Sequence, residues 1–195
     1  MAKNGLSVDT ILDNFLIKDI TKHSGEPTFQ AIRYSHDQLK SNKASILSGI
    51  GGGHFGLLGL IIQQKTYETL TGSPFVKHTN PGTHPSYPTG ILVETAAGIL
   101  CQHKLNQVPF HTMHDTDLAL TEKIINAFDG LYLKGIEIRH VKFLGVPLLD
   151  IIQHLYDNYG TLNQVDINDN YNKMSEHYDP PLPIEVLFDQ IEEGV

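Results

Sequence analysis

Four residues of the types that bind zinc, Cys101, His103, His111 and His114, lie within fourteen positions of one another. Thiolate and imidazole are the ligands a zinc site uses. The spacing C-x-H-x7-H-x2-H matches no familiar tetrad, however, and Pro109 would interrupt any single helix able to align the four. With 11 His in 195 residues, some clustering is expected by chance. Gly51-Gly52-Gly53-His54-Phe55-Gly56 fits G-x-G-x-x-G, but a dinucleotide fingerprint needs a strand before it and a helix after it. Here a helical pattern precedes the glycines and an apolar, strand-like run follows them. A turn or hairpin with positive φ accounts for the glycines. Asp166-x-Asn168-x-Asn170 opens like a calcium loop, but the positions that need Gly and Glu hold Tyr171 and His177. No G-x-S-x-G, H-E-x-x-H or G-x-x-x-x-G-K-[ST] occurs. Cys101 falls inside an expected helix, and no two carboxylates are spaced as a pair with divergent environments. The chain is therefore read as a non-enzyme, with no catalytic, cofactor-binding or metal residues and no small-molecule substrate.

Composition narrows the classes further. The 195 residues carry 14 Lys+Arg against 22 Asp+Glu, a net charge of −8, and 40% are hydrophobic, enough for a core. Such a balance disfavours a free-standing nucleic-acid binder, which needs cations to neutralise phosphates. Of the net charge, −7 falls in residues 161–195, where acids alternate with apolar residues. The single cysteine excludes an internal disulfide and any zinc knuckle. No apolar run approaches the roughly 18–20 residues that span a bilayer, and no apolar signal-peptide core opens the chain. A soluble protein of the cytoplasm is the expectation.

The elements that would position these residues read as mainly α. Val8, Ile11, Leu12, Phe15 and Leu16 have helical spacing, with Ser7 as a candidate cap. A second helix runs from Pro27 or Thr28 to about Ala44, with Phe29, Ile32, His36 and Leu39 on one stripe. Leu57-Leu58-Gly59-Leu60-Ile61-Ile62 is the candidate extended segment, giving a short β-hairpin-like element beside the glycines. A short helix at 64–70 and a long Pro/Gly loop at 73–90 follow. A helix over 91–107 is expected to stop at Pro109, and another to open at Asp115 or Thr116. Pro147 starts a helix that Gly160 ends as a left-handed cap. A weaker helix covers 162–174, and Pro183 begins the last, with Ile184, Leu187, Phe188 and Ile191 as its apolar face. The expected division is an N-terminal region, 1–112, holding the Gly-rich element and the loop, and a C-terminal helical region, 113–195; a single domain is the alternative.

Particular words in the chain, taken in order, resemble a known family. They are Pro27-Thr28-Phe29, Gly51 to Leu60, Tyr67-x-x-Leu70-Thr71-Gly72, Asn80-Pro81-Gly82, Gln102-His103-Lys104 and Leu131-Tyr132-Leu133. His154-Leu155-Tyr156-x-x-Tyr159-Gly160, Tyr178-Asp179-Pro180, Pro183-Ile184-Glu185 and Leu187-Phe188-x-Gln190-Ile191-Glu192 complete the series. In this order they are similar to the Gag polyprotein of copia-type LTR retrotransposons, in the branch common in algae, diatoms and oomycetes, over about residues 27–193. The resemblance implies a helical capsid region that self-associates into a virus-like shell around element RNA. It places RNA contact in a basic or zinc-knuckle segment that these residues lack, as in a piece of a longer polyprotein or a truncated copy. Exposed apolar residues at 91–107 and 183–193 are the expected contacts between copies. A domesticated Gag-like host adaptor or RNA carrier is a second reading. A small metal-dependent enzyme built on the Cys101–His114 cluster is a third.

Overall fold

Helix dominates the computed structural model, which describes residues 7–49, 53–161 and 164–175 together with Ile184 and Phe188. Among the described residues, the α-helices given bounds are, in order, α1 (Val8–Asn14), α2 (Phe29–Ala44), α3 (Gln64–Thr71), α4 (Val93–Ala127), α5 (Leu148–Tyr159) and α6 (Gln164–Ser175). Short 3₁₀ segments lie at Gly53–Phe55, Leu58–Leu60 and Gly130–Ile136. The helices begin where the capping chemistry puts them. Ser7 accepts from the Thr10 N–H at 3.3 Å, and Thr28 from the Ala31 N–H at 3.2 Å. Pro147 supplies the extended residue ahead of α5.

The core forms where α1, α2 and α5 meet the second half of α4. Ile11 and Phe15, then Ile32, Leu39 and Ile46, pack with Leu120, Ile124, Ile151, Ile152 and Leu155, all essentially out of solvent. Each such side chain contributes about 1.5–3 kcal/mol of transfer free energy. The buried residues of α4, His103 apart, all lie from Met113 onward. The half from Val93 to Thr112 therefore runs along the edge of the body.

Three expectations need correction. The β-hairpin-like element is absent: among the described residues there is no strand, and the sole pairing is an isolated antiparallel bridge between Ile138 and Lys142. Leu57–Ile62 closes its hydrogen bonds locally, Leu60 N–H to the Leu57 carbonyl at 3.1 Å and Ile61 N–H to the Leu58 carbonyl at 3.0 Å. With no neighbouring strand to pair with, a buried apolar run satisfies its backbone by turning. Next, Pro109 does not end a helix. It lies inside α4, where a proline removes one N–H from a 35-residue helix and leaves the flanking turns intact. Last, Gly160 has φ of −83°, so α5 ends without a left-handed cap. The division expected between residues 112 and 113 falls inside α4, which runs through it unbroken. Among the described residues no helix is long and apolar enough to cross a membrane. Of the last expected helix, only Ile184 and Phe188 are among the described residues; both are helical.

Candidate functional site

Three buried polar side chains of α2, Ser35, Gln38 and Asn42, fasten the extended segment that precedes it. Gln38 accepts from the Thr21 N–H at 3.1 Å and donates to the Thr21 hydroxyl at 3.2 Å. Asn42 grips Ile17, and Ser35 meets the His23 ring at 3.0 Å. Beside them Lys43 is fully buried and donates its ammonium to the carbonyl of His54. Burial pulls its pKa down to about 8. His54 in turn holds the Ala44 carbonyl through Nδ1 at 2.9 Å, so the turn at Gly53–Phe55, opened by Gly53 at φ of +54°, is clamped to the end of α2. These groups are engaged with partners inside the fold.

A groove of about 290 Å³ lies between α2, α5 and the turn at Ile61, and His36 and Tyr156 face it. His36 Nε2 sits 2.8 Å from the Ile61 carbonyl, so that nitrogen carries the hydrogen and Nδ1 is left to accept from the Tyr156 hydroxyl at 3.5 Å. Burial, and then the charge of Lys40, lower the His36 pKa; burial, and then Asp37, raise that of Tyr156. Both ring nitrogens of His36 thus have partners, the Ile61 carbonyl and the Tyr156 hydroxyl.

The loop 73–90 folds against one side of the free half of α4. Gln107 donates to the Gly82 carbonyl at 3.1 Å and meets His103 at 3.1 Å. Between loop and helix lies an open cleft of about 460 Å³, faced by Pro81, His84, Gln102 and Asn106. Further along, burial raises the pKa of Asp117, offset by Lys77 and then His114, and one of its oxygens has no hydrogen-bond partner.

Apolar side chains along this half-helix, and just ahead of it, face solvent. Leu92 is 74% exposed, Val93 85% and Leu105 61%, and Leu100 and Val108 are exposed beside them. Isolated apolar residues on a surface need no explanation, whereas several along one helix mark a contact surface. Ile184 and Phe188 are exposed as well. Both stretches from which contacts between copies are expected thus present apolar side chains to solvent.

The four zinc-type residues all fall on α4, where a rise of 1.5 Å per residue spreads them over about 20 Å. Cys101 is exposed, His103 is buried against Gln107, and His114 stacks on Phe110 at 5.7 Å. The structure brings no three of them together, and no group of three His, Cys, Asp or Glu able to hold a metal occurs among the described residues. Asp166, Asn168 and Asn170 lie on α6, a helix rather than a calcium loop.

One surface went unmarked in the sequence: the tip at Glu137–Gly145, exposed except at Phe143. The signal was there, since Lys134, Arg139 and Lys142 stand against a lone Glu137 in a chain that is otherwise acidic. No family model, no curated protein and no solved structure matches the chain.

Proposed function

We propose that the chain is a cytoplasmic, non-enzymatic structural protein that acts by binding copies of itself: the capsid region of a copia-type retrotransposon Gag, building a virus-like shell around element RNA. The observation that carries the reading is the exposed half of α4, with Val93, Leu100, Leu105 and Val108, and Leu92 just ahead of the helix, turned to solvent. A surface of this kind gains free energy when a second apolar surface displaces its water. Repeated contacts of modest strength close into rings or shells when the rotation between copies permits. The ordered words resembling Gag supply the family, and the helical fold agrees with a capsid region. RNA contact is assigned to a basic or zinc-knuckle segment of the polyprotein, because a chain with net charge −8 and one cysteine offers neither.

Sedimentation and negative-stain microscopy over a range of protein and salt concentrations test the reading. Oligomers or particles are expected, and a Val93→Glu/Leu105→Glu variant, altered only at exposed positions, should remain dispersed. A protein that stays monomeric at high concentration throughout would remove the proposal.

A further inference from the structure

The tip at 137–145 is built to meet something. Ile138 and Lys142 exchange two backbone hydrogen bonds of 2.8 Å, closing a three-residue loop of Arg139, His140 and Val141. His140 at φ of 79° and Lys142 at φ of 54° hold left-handed conformations that residues with a Cβ adopt only at a cost. The half-buried Ile136, Phe143 and Val146 pack against the core and root the tip. Ile138, Val141 and Leu144 face outward, Leu144 at 66% exposure. Around them stand Lys134, Arg139 and Lys142, none paired with a carboxylate among the described residues. A tip with both apolar and cationic groups facing solvent suits a partner that is apolar and anionic.

The chain itself contains that chemistry. Residues 176–195 hold six carboxylates and no Lys or Arg. Ile184, Leu187, Phe188 and Ile191 follow helical spacing, with Glu185, Asp189 and Glu192 running alongside. Ile184 and Phe188 are helical, and each is 56% exposed. We propose that the basic-apolar tip of one copy receives the acidic-apolar segment 184–193 of a second copy. Because the two surfaces differ, the contact is head-to-tail and propagates from copy to copy. The inference rests on the self-association reading above and names one of its contacts.

Sedimentation of the full chain tests it with two variants altered at exposed positions, Arg139→Glu/Lys142→Glu in the tip and Ile184→Ser/Phe188→Ser in the segment. Each should weaken association about tenfold or more, with the helical circular dichroism unchanged, and added salt should weaken the wild type. Mixed in equal amounts, the two variants should form a one-to-one heterodimer that neither forms alone, since together they retain one intact tip and one intact segment. If both variants associate as the wild type does, the tip contact is wrong and self-association stands. If the wild type is monomeric, both readings fall. Binding of that monomer to phosphatidylserine vesicles, lost in Arg139→Glu/Lys142→Glu, would reassign the tip to a lipid surface and overturn the proposal.

Discussion

Asn42 holds the backbone of Ile17 at both polar atoms: its side-chain oxygen accepts the Ile17 N–H at 2.7 Å and its amide donates to the Ile17 carbonyl at 2.9 Å. A side chain on a helix thus does for an extended residue what a neighbouring strand would do. Asn42 is fully buried, so truncation would strand two backbone groups away from other partners. Asn42→Ala is expected to cost about 2–6 kcal/mol, from about 1–3 kcal/mol for each of the two unsatisfied groups. Urea denaturation followed by circular dichroism measures it. A loss below half a kcal/mol would mean that water replaces the amide without penalty.

Lys43 gives stability an unusual pH dependence. Its pKa is about 8 in the fold and 10.5 without it, so between these values the unfolded chain binds more protons. Stability contributed through Lys43 should therefore rise from pH 8 towards pH 10, by roughly 2 kcal/mol over that window. Tyr156, whose pKa the fold raises, pulls in the opposite direction above pH 10, which confines the clean window to pH 8–10. The Lys43→Met variant should lose this slope, and identical slopes in variant and wild type would assign the effect elsewhere.

Gly59 and Phe75 share one space. A Cβ built on Gly59 would overlap the Phe75 ring, which also packs edge-on against Tyr67 at 5.2 Å. Gly59→Ala should destabilise by about 1–3 kcal/mol, the usual cost of overpacking. Phe75→Ala vacates the space, so the double variant should lose less than the two single losses combined. Strict additivity in thermal melts would contradict the packing described.

Asp117 should respond to acid with the opposite sign to an ion-paired carboxylate. Its pKa is raised in the fold, so the native state holds the proton more firmly, and this contribution is lost as pH rises through the folded pKa. Asp117→Asn is expected to be more stable than the wild type at pH 7 and to converge with it towards pH 4. A variant less stable at pH 7 would show that the charge is paired with Lys77 or His114 well enough to offset its burial.

Local chemistry made much of this fold legible. Ser7, Thr28 and Pro147 mark helix starts because capping needs only near neighbours. Pro109 and the run Leu57–Ile62 misled for a shared reason. Whether a helix survives a proline, and whether an apolar run extends or turns, depends on what distant segments offer in packing and hydrogen bonds. The buried clamp of Lys43 on His54 had no sequence signal, since a lysine near the end of a helix ordinarily reads as solvated. The zinc-type cluster dissolved once α4 proved continuous, because a rod separates what a bend at Pro109 would have gathered.

The 35 residues of α4 make a rod of about 52 Å, held in the core mainly from Met113 onward. The free half, about 30 Å long, works as a lever. A rotation of about 10° where Met113, Leu120 and Ile124 grip it sweeps Leu92 through about 5 Å. Small repacking at the fulcrum thus becomes a large change in where the exposed end points, and the curvature of anything built on that end is set by residues that never touch it.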